Sequence, residues 1–441
     1  MTRATQSLIT NHQSQITNHL SQQIPFMKKL IIGLLAILSI GIYACVNDGN
    51  SQTGNATNAN MAVLDKIPAL KDRNEQLQYG KEWENVQNAY GKQRKALMDN
   101  PNAKEPWLNL AEVFVGEARV TGEHPYYYPA ALECLNILLE QDFNMADPKD
   151  ADLRFRALTA KAGVEMSFHE FAKARQTAEE AVKLNPFNSG IYGVLTDANV
   201  ELGNYTKAVE MADKMVSIKP DLRSYSRVSY LREIHGDVPG AIEAMTMAAK
   251  AGYPGYDNTS WSMVTLGNLY LHYGELNEAA QVFEATLEER PNYPFAMAAL
   301  AQVKMEQKDY AAAEKLLKDA AAIVPEVSFY EDLATVYKAT GRTDEYHKTV
   351  QDVIAMMEDD AAHGHNMDLE FAHVYATFLN DPSKALTYAQ KEYNVRPENI
   401  DVNGALANIY AMMGNTEKAR FHREKALRTG SKKPELLALK D

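Results

Sequence analysis

By type and spacing, the residues best suited to chemistry are Asp359, Asp360, His363, His365, Asp368 and His373. A His-x-His pair flanked by carboxylates offers the nitrogen and oxygen donors of a divalent-metal site. The same residues fall between two helical patterns, where polar loops are expected, and a solvated loop accounts for them without a metal. The chain has no Gly-rich phosphate loop, no G-x-S-x-G turn, no H-E-x-x-H and no C-x-x-C. It is therefore expected to be non-enzymatic, with no catalytic residue, no cofactor and no resident metal.

Two cysteines, Cys45 and Cys134, are too few for a disulfide framework. Cys134 lies on a small-residue helical face and is expected in the core. Cys45 has a different setting. Met27-Lys28-Lys29 precedes an uncharged apolar run from Leu30 to Ala44. A positive start, a short apolar core and a small residue before the break describe a secretory signal, and the run is short for a membrane-spanning helix. It closes Ile42-Tyr43-Ala44-Cys45, which resembles a bacterial lipobox, although Tyr43 departs from the small or aliphatic residue usual there. The resemblance implies that Cys45 is lipidated and anchors the chain to a membrane of the bacterial cell envelope. Val46 in place of an inner-membrane-retaining aspartate favours the outer membrane, facing either the periplasm or the surface.

The residues around this signal set the outer boundaries. Residues 1–26, with Ile9-Thr10-Asn11-His12 repeated as Ile16-Thr17-Asn18-His19, read as a disordered stretch upstream of a true start at Met27. Residues 27–45 form the signal and 46–62 a flexible tether. A capping helical region is expected over 63–101, repeats over 102–431 and a short terminal helix over 432–441.

The formal net charge is −13. Residues 1–45 hold three basic and no acidic residues, so the remainder carries 42 basic against 58 acidic residues, a net charge of −16. Such a chain repels phosphate backbones, which argues against a nucleic-acid partner.

Helix formers dominate throughout, and the elements that position the side chains above follow a fixed step. Prolines stand at Pro186, Pro220 and Pro254, then at Pro291 and Pro325, 34 residues apart within each group. Glycine precedes a small or substituted position by five residues at Gly203/Ala208, Gly236/Ala241, Gly274/Ala279, Gly341/Tyr346 and Gly414/Ala419. Gly relieves a tight turn, a small residue lets two helices approach, and Pro ends a helix it cannot continue. Tyr346 in the small position predicts looser packing there. Tyr126-Tyr127-Tyr128, between two prolines, is read as part of an enlarged turn in the first repeat, either a contact patch or a cluster folded back over the helix ends.

The stretch Trp261 to Pro291, with Leu266-Gly267-Asn268-Leu269-Tyr270, Gly274, Ala279 and Phe283, resembles the tetratricopeptide repeat (TPR) pattern W-x2-L-G-x2-Y…A-x3-F…P, with the tryptophan displaced by two positions. The resemblance implies an all-α fold, a right-handed α-solenoid of about nine helix–turn–helix repeats. It also implies a concave groove lined by one helix of each repeat. Carried over repeat by repeat, the groove positions are Asp197, Tyr230, Trp261, Asn268, His272, Phe295, Gln302, Glu331, Glu370 and Asn408, with Glu201, Glu233 and Glu306 beside them. Amides, aromatics and acids in that mixture suit a protein or peptide partner held along its backbone. The function implied is a scaffold or adaptor lipoprotein. The alternative is an outer-membrane lipoprotein that binds a glycan or nutrient, a class that interrupts its repeats with long insertions absent from this chain.

Overall fold

The computed structural model describes residues 67–439, all within the larger of two units of the chain, Thr53–Asp441. The upstream stretch, the signal, Cys45 and the tether lie outside the described residues.

Among the described residues there are helices and turns and no strand. One helix, Glu82–Asp99, precedes nine antiparallel pairs. The first helix of each pair is A and the second B. Repeat 1 joins Lys104–Thr121 to His124–Leu139, repeat 2 joins Pro148–Ser167 to Phe171–Leu184, and repeat 3 joins Ser189–Glu201 to Tyr205–Ile218. Repeat 4 joins Leu222–Ile234 to Val238–Ala251, repeat 5 joins Asp257–His272 to Leu276–Glu289, and repeat 6 joins Pro294–Glu306 to Tyr310–Ile323. Repeat 7 joins Val327–Ala339 to Thr343–Ala362, repeat 8 joins Asp368–Thr377 to Pro382–Val395, and repeat 9 joins Ile400–Met412 to Thr416–Ala426. A short helix, Pro434–Leu437, follows. The chain is an α-solenoid.

Every A–B turn is built the same way. One residue takes the left-handed conformation, with φ between 51° and 83°: Gly122, His169, Gly203, Gly236, Gly274, Lys308, Gly341, Asn380 and Gly414. Five residues on, the chain buries Tyr127, Ala174, Ala208, Ala241, Ala279, Ala313, Tyr346, Ala385 and Ala419 against helix A. The seven alanines let the two helices close on one another, and side-chain carboxylates and amides cap many B helices. Asp237, Asp309, Asp381 and Asn415 each accept a backbone N–H from the first turn, satisfying a donor that helix formation leaves free.

The two tyrosines at the small position correct two expectations. In repeat 1 the turn is not enlarged. Helix B begins at His124, so Tyr126, Tyr127 and Tyr128 belong to its first turns, and Tyr127 and Tyr128 are buried. Tyr127 stacks on Phe114, ring centroids 5.9 Å apart, and its hydroxyl accepts the backbone N–H of Lys71 at 2.9 Å. In repeat 7 packing does not loosen. Tyr346 is buried, and its hydroxyl donates to the carbonyl of Phe378 in repeat 8. Within the expected capping region the helix begins at Glu82, just after Gly80 takes a left-handed turn.

Consecutive A helices approach one another more closely than consecutive B helices, so the A helices line the inner side of the curve. The curve is tight enough for the solenoid to meet itself. The A–B turn of each early repeat touches the segment that leaves helix B five repeats later. Gly122 of repeat 1 lies against Val324 and Glu326, beyond repeat 6. Phe168 and His169 of repeat 2 meet His365 and Asn366, beyond repeat 7. Gly203 of repeat 3 meets Glu398 and Asn399, beyond repeat 8, and Gly236 of repeat 4 meets Gly430, beyond repeat 9. The segment before repeat 1 obeys the same offset: Tyr79 donates its hydroxyl to the carbonyl of Glu289 at 3.1 Å, and Arg290 reaches Glu82 at 3.2 Å. Two superhelical turns therefore stack along a continuous seam.

Gly203 and Gly236 illustrate what the seam demands. Each needs a positive φ for its turn, and a Cβ at either position would also fall on backbone of the second superhelical turn, Glu398 or Gly430. Gly274, Gly341 and Gly414 have the same φ requirement with open space around them.

Candidate interaction surface

The inner surface is a ladder of A-helix side chains joined from repeat to repeat. Asp197 of repeat 3 accepts two hydrogen bonds from Arg227 Nε in repeat 4, at 2.9 and 3.1 Å, and Arg227 Nε also donates to the carbonyl of Gly193 at 3.2 Å. The absence of a side chain at Gly193 makes room for this clasp, since a Cβ there would meet the guanidinium at 3.0 Å. Gln302 of repeat 6 donates to Asp332 of repeat 7 at 2.9 Å. Glu331 faces Asp332 and, in repeat 8, Glu370, one of whose carboxylate oxygens is enclosed without a hydrogen-bond partner.

These acids are half-buried and crowd one another. Burial, then the neighbouring Asp332 and Glu370, pushes the Glu331 carboxyl up to about 7. Burial pushes Asp332 up to about 6, against the pull of the Gln302 hydrogen bond. Both carboxyls keep a proton further into the neutral range than they would in water, because taking charge out of water is unfavourable and like charges repel. A cationic group delivered to this wall would relieve that strain.

The other groove positions differ in their exposure. Trp261, His272 and Asn408 stand exposed on the A helices of repeats 5 and 9. Tyr230 is half-buried, with Lys433 from the segment beyond repeat 9 lying 5.4 Å from its ring centre, so the second superhelical turn partly covers it. Asn268 is half-buried with its side-chain oxygen unpartnered. Phe295 packs between Tyr293 and Phe329, at 5.5 and 5.8 Å, within the core of repeats 6 and 7. Glu201 is taken up by the seam: its carboxylate accepts Arg396 Nη1 at 2.6 Å and its carbonyl accepts the Asn399 side chain at 2.9 Å.

Sequence reasoning missed Arg227, Asp332 and Arg396. Arg227 had a signal, for it stands 34 residues after Gly193 and 34 before Trp261, the same register in three successive repeats. Arg396 had none, since its partner lies 195 residues away.

The residues first considered for a metal do not converge. His363 Nδ1 bonds to the carbonyl of Asp359 at 2.8 Å, while His365 turns away into an aromatic slot. Among the described residues no group of three His, Cys, Asp or Glu side chains is placed to hold a metal ion. Cys134 is fully buried, and burial pushes its thiol up to about 12. An outer cleft of about 500 Å³ opens near helix B of repeats 4 and 5, lined by Ala249, Met263, Leu266, Val282 and Ala285. None of the predicted groove residues lines it.

Helix pairs with a left-handed turn and a small residue five positions on, stacked into a solenoid, define a helical-repeat protein. The family model described as Tetratricopeptide repeat matches residues 270–329, from the end of helix A of repeat 5 into repeat 7. No curated protein sequence matches the chain. Among solved structures, it is similar to pilF of Pseudomonas aeruginosa at 14% identity and a TM-score of 0.38, over 47% of this chain and 93% of that one. It is similar to PilW, described as a widely conserved type IV pilus biogenesis factor, at 20% identity and a TM-score of 0.38, over 46% and 92%. It is also similar to the human IFIT1 dimer with PPP-AAAA at 14% identity and a TM-score of 0.44, over 87% and 96%.

Proposed function

We propose that this chain is a non-enzymatic scaffold of the bacterial cell envelope, tethered through a lipid on Cys45, that holds a protein or peptide segment against its A helices. The observation that carries the reading is the inner wall of Glu331, Asp332 and Glu370: burial raises the Glu331 and Asp332 carboxyls, and one oxygen of Glu370 is enclosed without a partner. A lysine- or arginine-bearing segment supplies the missing charge. The exposed ring of Trp261, 45% accessible, offers an apolar anchor on the same set of helices. The same acids oppose a phosphate backbone. The lipobox resemblance supports the anchor, and the net charge of the remaining chain supports a cationic rather than an anionic partner.

Two experiments test this. A photo-crosslinking residue at the exposed His272 position in intact cells should capture a partner that is lost when Tyr230→Ala and Trp261→Ala are added. Unchanged capture argues against inner-surface binding. Metabolic labelling with a fatty acid should mark the wild type and not Cys45→Ser, and an unlabelled wild type removes the anchor.

A further inference from the structure

We propose that His365 is a proton-operated latch that holds the first superhelical turn against the second near neutral pH and releases it on acidification. The inference concerns the seam alone and stands whether or not the inner surface binds a peptide.

His365 leaves the end of repeat 7 and enters the first superhelical turn. Its ring sits 4.7 Å from Phe168, 5.9 Å from Tyr128 and 6.4 Å from His124, centre to centre. The residue is 8% exposed, and neither ring nitrogen has a hydrogen-bond partner. Immediately beside it the two turns are clasped by backbone. Asn366 donates its N–H to the carbonyl of Phe168 at 3.1 Å, and the carbonyl of Asn366 meets His169 Nδ1 at 2.8 Å. An imidazole is the peg, and the clasp is next to it in the chain.

A neutral imidazole packs in that slot as an aromatic ring does. An imidazolium there has two N–H donors, no acceptor and a charge enclosed by rings, which is costly. The groups that face it do not supply a counter-charge. Helix B of repeat 1 presents His124 and Tyr128, with Glu123 at its start and Arg119 on the preceding helix. The repeat 2 turn presents His169, and the segment bearing His365 presents His363, Asp359 and Asp360. Glu326 faces Asp360, and Glu370 of repeat 8 lies 3.8 Å from His169. Burial keeps Glu326 and Asp360 protonated up to about 7 and about 6, so as acid approaches they lose charge while the histidines seek it.

The direction follows from linkage. Burial, then His124, lowers the His365 imidazole to about 4, and burial lowers His124. The released seam therefore binds more protons than the latched one between about 4 and the ordinary imidazole value of about 6.5, and latching weakens as pH falls across that window. Glu326 and Asp360 act in the opposite sense over part of the same range, so a variant that removes only the imidazole isolates its effect.

The test is hydrogen exchange on the full chain, following the Asn366 amide from pH 7.5 to 4.5, corrected for chemical exchange and referenced to helix B of repeat 5. In the wild type, seam protection should fall with acid relative to His365→Phe, by up to about tenfold per pH unit below 6.5. His365→Gln, smaller and uncharged at every pH, should behave as His365→Phe does. Identical pH profiles in wild type and both variants overturn the latch. Should a variant fail to fold, the wild-type imidazole is titrated directly by NMR. A His365 ring that protonates near 6.5 while the Asn366 amide stays protected also overturns it.

Discussion

Arg396 Nη1 donates to Glu201 Oε2 at 2.6 Å across the seam, while its Nε bonds Glu392 on its own helix. One guanidinium thus joins repeats that are five apart, and its ion pair with Glu392 is almost fully buried. A repeat array is ordinarily held together by nearest neighbours alone. Here pairs such as this one, with Arg428 donating to the carbonyls of both Gly203 and Glu398 at 2.7 Å, add a second set of contacts that closes over the first.

Arg396→Ala should destabilise the chain by about 3 kcal/mol, because it leaves Glu392 buried without its partner. Urea unfolding measures the loss. Arg396→Met with Glu392→Leu should recover only part of it, since the Glu392 charge is removed with its partner while Glu201, which also bonds Arg396, keeps its own.

The glycine turns offer a matched comparison. Gly414→Ala should cost about 1 kcal/mol from the left-handed backbone alone, as nothing lies within 4 Å of its Cβ direction. Gly236→Ala carries the same strain and also meets the backbone of Gly430. It should cost clearly more and raise hydrogen exchange around 430. Equal losses in thermal unfolding would show that the seam bears no load.

Tyr127→Ala should cost about 3–5 kcal/mol, since it empties a fully buried aromatic site. Tyr127→Phe removes only the acceptor for the Lys71 amide and should cost about 1 kcal/mol. Chemical denaturation of the two variants separates packing from hydrogen bonding.

The acid wall sets a pH dependence. Glu331 and Asp332 are raised to about 7 and about 6, above their ordinary values near 4. The folded state therefore binds more protons between about 4 and 7, and their contribution to stability falls as pH rises through that window. Glu331→Gln should make the chain more stable than wild type at pH 8 and little different at pH 4.5, read by urea midpoints. A lysine-rich peptide that binds the wall should bind more tightly at pH 8 than at pH 6, read by calorimetry.

Cys134 should resist iodoacetamide in the folded chain and react only after denaturation, because its thiol is buried and its thiolate strongly disfavoured. Mass spectrometry before and after urea decides this.

The repeats were legible because their cause is local. The 34-residue step, the glycine-to-alanine spacing and the prolines each reflect a turn or a helix–helix contact formed within about forty residues, and five of the nine turns followed from glycine alone. The turns at His169, Lys308 and Asn380 were hidden because glycine is favoured in the left-handed conformation without being required there. The Tyr126–Tyr128 segment was misread because prolines flanking three tyrosines look like a loop, whereas Pro125 sits at the start of a helix, where no N–H is needed. Part of the inner surface was legible too, since a register of 34 carries side chains such as Trp261 and Phe295 to equivalent places on successive A helices.

What the sequence determined by itself is therefore the unit: two helices, a left-handed turn, a small or aromatic residue five positions later, and an acidic balance. The tertiary structure alone decided which of those units meet. Small rotations between neighbouring repeats accumulate over five of them, and their sum brings Gly122 to Val324, Phe168 to His365, Glu201 to Arg396 and Gly236 to Gly430. No local pattern contains that sum. A contact across some two hundred residues leaves no periodic trace in the chain, and so the seam, its buried arginine and its histidine peg appear only once the superhelix has closed on itself.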